Sequence, residues 1–412
     1  MYDIVIVGGG AAGIGAARRL AGSQCDTLLI EAAPRLGGRA HTVSVDGLAL
    51  DLGCGWLHSA DRNPWAQVAT ERGMAIDRRP PAWGKQHRDL GFTAREQHDA
   101  RGALNDWIAR LADAPPADDN AASVLPVDRR WHAYIRAMTG FISGVSPDRI
   151  SAADFTAYDQ AATGQNWRVA EGYGALIAGS VPHAAKHRLG TALQRLALAP
   201  GSVRLDTTAG TIQARTVIVT VSTAVLVGDT IRWPAEIEPW RDAAYAIPLG
   251  RNEKLFLRLA PNAPFEDETQ LLGNPNDPAT GAYYIRPFGR PVIECFLGGD
   301  GAALIAREGQ EAGYAHAIAE LSALLGSGVR SSLQPVAASD WTRTATIGGG
   351  YSCALPGGAA ERRRLAVPFE NRLFFAGEAT SSTDFSTAHG AYASGMRAAE
   401  EALAALSRSR PA

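Results

Sequence analysis

Cysteine is scarce. Four occur in 412 residues (Cys25, Cys54, Cys295 and Cys353), with no CxxC spacing. That scatter suggests neither a zinc site nor a disulfide framework, so no metal is expected and a reducing cytoplasmic setting is the simplest one. Charge of one sign is not in excess either: 40 Lys and Arg face 42 Asp and Glu, a net of −2. A balance so near neutral gives no electrostatic reason to expect a nucleic acid partner. Long apolar runs are lacking. Segments such as 217–221, flanked by Thr and Ser, are too short to cross a bilayer, and no membrane partner is expected. The first residues do not read as a signal peptide, because Asp3 and the glycines from Gly8 interrupt any apolar stretch and no basic segment precedes it. Internal repeats and low-complexity tracts are missing as well.

What is present is a long, ordinary globular composition. Hydrophobic residues make up 46% and charged residues 20%. A chain of this length exceeds one ordinary core, so two domains are expected. Residues 2–7 form a β-rich apolar run, 8–13 a glycine turn, 11–21 an Ala- and Leu-rich helix, and 27–31 a second strand. This is a βαβ unit. Gly8-Gly9-Gly10-Ala11-Ala12-Gly13 is a GxGxxG placed between strand and helix. Gly8 permits the tight turn, Gly10 lets a pyrophosphate approach the backbone, and Gly13 lets helix and strand pack closely. The helix N-terminus, reached at Ala12, offers unpaired N–H groups and a positive dipole end to phosphate. Glu31 lies 18 residues after Gly13 at the end of the second strand, where its carboxylate can accept ribose hydroxyls. Together these point to a dinucleotide.

Further α/β-like stretches begin near residue 171, with a buried-strand pattern at 216–221, and at 373, where a strand over 373–376 precedes a helix over 389–406. Between them, 74–168 is polar, with helical spacing at 104–112 and 131–139, and 236–347 has strands at 254–259 and 292–297 and a helix at 312–325. The expected division is 1–75, 169–235 and 348–412 for the nucleotide-binding domain, and 76–168 and 236–347 for a substrate-binding domain.

Beyond Glu31 and Ala32 comes Leu36-Gly37-Gly38-Arg39, then Thr42. This resembles the second FAD signature of the flavin-containing amine oxidases, the monoamine oxidase, polyamine oxidase and lysine-specific histone demethylase superfamily, in a short, bacterial-type form. Gly38 lets the backbone pass the pyrophosphate and Arg39 can neutralise it. The resemblance continues in order. Gly53-Cys54-Gly55-Trp56-Leu57-His58 looks like the segment beside the flavin ring, and Leu193 sits near the backbone that meets adenine. The strand carrying Lys254 resembles that of the family lysine. Trp341 and Gly348-Gly349-Gly350-Tyr351-Ser352 look like the aromatic site segment. Gly377-Glu378 through Thr387-Ala388-His389 is similar to the C-terminal FAD motif, closest to the form in histone demethylases and plant polyamine oxidases. The middle of the substrate domain, 74–170, resembles nothing that can be placed.

The resemblance implies an α/β fold: a Rossmann-like FAD-binding domain interleaved with an α+β substrate domain containing a mixed sheet, as in amine oxidases and p-hydroxybenzoate hydroxylase. It implies Lys254 as the catalytic residue, holding a water at the flavin N5; burial would disfavour its charged form. Periodicity alone leaves Lys254 equally readable as a surface lysine. Tyr351 would be one wall of an aromatic cage. The second wall is missing, since Thr387 stands where monoamine oxidases have tyrosine. Gly350 replaces the cysteine that bonds the flavin in monoamine oxidases, and Cys353 points elsewhere, so FAD is expected to be noncovalent. His58 could contact substrate or be tied to local backbone. Trp56 and Trp341 could face the pocket or fill the core. His389 would support the flavin loop, and Glu378 would meet the ribityl or phosphate region. The implied reaction is hydride transfer from an amine α-carbon to flavin. An imine results and hydrolyses to an aldehyde or ketone, with O2 reduced to H2O2. The expected partners are a small-molecule amine and O2, and the expected assembly is a monomer or homodimer. The alternative is another flavoprotein of the superfamily: an amino acid oxidase, a desaturase or a porphyrinogen oxidase-like enzyme. Trp56 stands where an amino acid oxidase would place a carboxylate-binding arginine, which argues against the first.

Overall fold

A computed structural model describes residues 1–260, 263 and 265–408. The apolar strand Tyr2–Val7 lies inside a seven-stranded sheet, paired in parallel with Thr27–Ile30 on one side and Gly210–Val219 on the other. Lys186–Arg188 extends one edge, and Leu373–Phe375 adds a further parallel strand to Gly210–Val219. The lower half of Gly210–Val219 pairs antiparallel with Ser202–Thr207, which in turn pairs with Leu193–Ala199. This is the mixed pairing. The strand is longer than its apolar stretch at 216–221 suggests, because its first half is half-exposed and shows no continuous apolar run.

The helix Ala11–Leu20 packs directly on the C-terminal helix Ala388–Arg408. Glycine makes that approach possible: a Cβ on Gly395 would lie 1.9 Å from the carbonyl oxygen of Ala12. The contact brings the two ends of the chain to one place, so the first and last motifs share a site.

The second sheet has the order Thr269–Leu272, Ala282–Ile285, Val292–Gly298, Asn252–Leu259, Leu333–Ala338, and every pair in it is antiparallel. One face, with Leu255, Leu257 and Leu259, packs on Tyr314, Ala317 and Leu321 of the helix Gln310–Leu325. The opposite face carries Lys254, Phe256, Glu294 and Phe296; of these, Phe256 packs against Leu50, Leu52 and Trp341. The helix over 104–112 in fact begins ten residues earlier, as Ala94–Asp113, behind a capping box in which Thr93 and Glu96 satisfy each other's backbone N–H groups. Its early turns are polar, which hides them from an apolar periodicity. No helix among the described residues is long and apolar enough to cross a membrane.

Candidate active site

One cavity of about 1080 Å3 runs from the glycine turn to the substrate side. At its first end, Gly8, Gly10, Ala12, Glu31, Ala32, Gly38, Arg39 and Leu193 line the wall. Gly13 does not. A Cβ there would lie 1.9 Å from the carbonyl oxygen of Gly8, so Gly13 serves the packing of the turn and not direct contact. The helix Ala11–Leu20 has no side-chain cap and no acid in its first turn, so its positive end faces the cavity uncompensated. Arg35 and Arg39 add cations to the same wall. Open glycine faces, free helix N–H groups and two guanidinium groups fit a pyrophosphate. Glu31 accepts from the backbone N–H of Gly9 (2.6 Å) and Ala33 (2.7 Å), which fixes its carboxylate at the cavity wall.

Arg39 and Glu378 are paired with each other. Arg39 Nη1 donates to Glu378 Oε1 at 2.9 Å and to the carbonyl of Gly350. The other Glu378 oxygen accepts from Ser352 Oγ at 2.6 Å and from the N–H of Ser386 at 2.9 Å. Glu378, which lines the cavity, is therefore the counter-ion that orients Arg39. Despite burial, which pushes the other way, Arg39, Ser352 and Arg362 hold the Glu378 carboxyl below its ordinary range, so it is ionised.

Lys254 is buried at 8% exposure and lines the cavity, on the face of its strand that carries Phe256. That face settles what periodicity left open. The bare Gly55 makes room for the amine: a Cβ on Gly55 would lie 3.0 Å from Nζ. Lys254 is not a lone amine. Its Nζ lies 2.7 Å from Oε1 of Glu294 on the neighbouring strand. Glu294 is a site residue that sequence reasoning missed, although a single acid inside the apolar strand Val292–Gly298 is a readable signal.

Tyr351 lines the cavity, and its hydroxyl donates to the carbonyl of Phe141, which pins the ring. Burial pushes its phenol up, so it stays neutral. Thr387 also lines the cavity, but its hydroxyl is committed: it donates to the carbonyl of Asp384 (2.6 Å) and accepts from the N–H of Gly390 (3.0 Å), as an N-cap of the last helix. Gly53, Gly55, Trp56, His58, Trp341, Gly377 and Ala388 all line the same cavity. His58 Nδ1 lies 2.7 Å from Asn166 Oδ1, and burial, more than any neighbouring charge, lowers its pKa. Trp341 is 7% exposed and its indole N–H donates to the carbonyl of Leu52, so it is both core and wall. Trp56 lies 4.4 Å from Trp83, ring centre to ring centre. His389 contacts Asn63 and Asp384 at 3.3 Å and supports the loop before the last helix. A Cβ at Gly350 would approach Asn252 to 2.8 Å, and Cys353 is buried away from the cavity among Trp107, Ile150 and Phe155.

Residues 85–403 match the family model for flavin containing amine oxidoreductases, and residues 6–71 match that for NAD(P)-binding Rossmann-like domains. The chain belongs to the flavin-containing amine oxidoreductase family. Among relatives of this amine oxidoreductase, polyamine oxidase 2 of Arabidopsis thaliana is 26% identical over 97% of this chain and 87% of its own. Polyamine oxidase 5 of Oryza sativa subsp. japonica is 27% identical over 98% and 88%. A pseudooxynicotine dehydrogenase of Pseudomonas sp is 46% identical, but over 16% of this chain and 14% of its own. The solved structure of a putrescine oxidase double mutant, redesigned in its cofactor binding, superposes with a TM-score of 0.75 over 98% of this chain and 99% of its own at 17% identity, a likeness of fold.

Proposed function

We propose that this FAD-dependent amine oxidase oxidises the C–N bond of a neutral amine in the cavity that Lys254 and Tyr351 share. The observation that carries the reading is the Lys254 amine, buried beside Gly55 where the dinucleotide-binding wall meets the substrate wall. The α-carbon gives up a hydride as the nitrogen lone pair forms the C=N bond, and water hydrolyses the imine to an aldehyde or ketone. FAD, when bound, would supply the hydride acceptor and would pass the electron pair on to O2, which leaves as H2O2. Lys254, with N–H groups beyond the one facing Glu294, holds a water at the reacting end. Tyr351, fixed through its hydroxyl, gives a flat wall against which the amine lies. His58, kept neutral by burial, offers a hydrogen bond without repelling a cation. Gly350, crowded by Asn252, supports a noncovalent flavin.

The two-domain division is supported by the sheets: the first draws its strands from 2–30, 186–219 and 373–375, the second from 252–338. A monomer or homodimer in the cytoplasm completes the reading. The test is a peroxide-release screen over mono-, di- and polyamines, cyclic amines and amino acids. A yellow protein that no amine reduces would refute it.

A further inference from the structure

The substrate end of the cavity is walled by Phe92, Tyr134, Phe141, Phe155, Tyr158 and Phe296. A polycation needs carboxylates to meet its several charges, and this wall has almost none to give. Among the described residues, the acids lining the cavity are Glu31, Asp159, Glu294, Glu378 and Asp384. Glu31 is occupied by two backbone N–H groups, Glu294 by Lys254, Glu378 by Arg39, and Asp384 by Arg62 and His389. Asp159, which like Glu31 enters no ion pair among the described residues, is exposed, and the exposed cations Lys85 and Arg101 line the same cavity.

The mouth carries instead an aromatic side chain with uncovered surface. Trp83 is 41% exposed, and it is followed in the chain by two residues that are hydrogen-bonded to other segments. The carbonyl of Gly84 accepts from Arg101, and Gln86 exchanges hydrogen bonds with the backbone of Leu272 at 2.8 and 3.0 Å. The Trp83 ring lies 4.4 Å from Trp56 and 5.9 Å from His58, and Trp56 is backed by Arg168 at 4.9 Å. An indole packed on one ring and left half in solvent at a cavity rim is apolar area that a ligand can cover.

We propose that the substrate of this enzyme carries one basic nitrogen and a ring, and that Trp83, packed on Trp56, holds the ring at the mouth of the cavity. The proposal rests on the amine-oxidase reading above. Its test begins with two probes that lack a nitrogen lone pair and so are not oxidised: benzyltrimethylammonium, with a ring and one charge, and hexamethonium, with two charges and no ring. Titration of the FAD-loaded enzyme should show the ring-bearing probe binding about tenfold tighter. In Trp83→Ala the ratio should fall below about threefold, and Trp83→Phe should recover most of it. Anaerobic flavin reduction should likewise be faster with 4-phenylbutylamine than with putrescine. Hexamethonium binding as tightly as the ring-bearing probe, or a ratio unchanged in Trp83→Ala, would overturn the proposal. The expected probe ratio together with flavin that neither amine reduces would instead overturn the amine-oxidase reading, and the substrate class with it.

Discussion

Replacing Lys254 by methionine removes the amine and leaves Glu294 in the cavity wall without its cation. At 2.7 Å and an effective dielectric of about 20, the gross attraction of the pair is about 6 kcal/mol. Dehydration of both groups offsets most of it, and removing one partner of a buried pair costs about 3–5 kcal/mol. The Glu294 side chain keeps 21% of its surface exposed, so water screens the orphaned charge and about 1–3 kcal/mol is expected. Glu294→Gln should cost a similar amount from the other side. The double variant K254M/E294Q carries neither charge, and its stability should return to within about 1 kcal/mol of the parent. Turnover should not return. Both variants that lack the amine should lose about tenfold or more, equivalent to about 1.4 kcal/mol of barrier. The assays are urea unfolding at saturating FAD, since ligand concentration shifts apparent stability, and stopped-flow reduction and reoxidation of the flavin. A double variant as unstable as Lys254→Met would show that the two charges are not coupled. Reduction and reoxidation at parental rates in Lys254→Met would remove Lys254 from the reaction.

Denaturation in acid should release free FAD to the supernatant; yellow colour that stays with the precipitated chain would contradict a noncovalent flavin. Asp154 binds Arg362 through two hydrogen bonds of 2.6 and 2.8 Å with Arg362 fully buried, so Asp154→Asn, which strands a buried cation, should cost about 3–5 kcal/mol in urea unfolding, and a loss under about 1 kcal/mol would contradict it. Thr387→Val should lose about 1 kcal/mol of cap energy while Thr387→Ser keeps it, and equal stabilities would show that the cap carries no weight. Because burial depresses the pKa of His58, the unfolded chain binds the extra proton. The associated stability is therefore complete above about pH 6.5 and is lost as pH falls through the lowered folded value. Above that range, flavin reduction at low substrate should still rise with pH, since a free alkyl amine is mostly protonated below about pH 10. A flat profile would count against a neutral reacting amine.

That Gly8, Gly10, Ala12, Glu31 and Arg39 would face one cavity could be read locally, because such a cradle is made by backbone approach and short-range turns. A local string of glycines with an acid at the right distance specifies such a cradle almost alone. Periodicity could not place Lys254, since its face alternates Lys254, Phe256 and Arg258, as the outer face of an amphipathic strand also would; the sheet decided it, by turning Leu255 and Leu257 to the helices and Lys254 with Phe256 to the cavity. Glu294 as its partner, Glu378 as the counter-ion of Arg39, and Thr387 as a helix cap were beyond reach for the same reason. Each depends on which side chains two distant segments bring within hydrogen-bond distance. The region 74–168, which resembles nothing that can be placed, supplies Trp83, Phe92, Tyr134, Phe141, Phe155 and Tyr158 to the cavity wall. Tyr134, Phe141, Phe155 and Tyr158 read as an ordinary helical core, because aromatic side chains look alike whether they cover a core or a cavity. Only the packing of those helices against the second sheet decides which of the two they enclose.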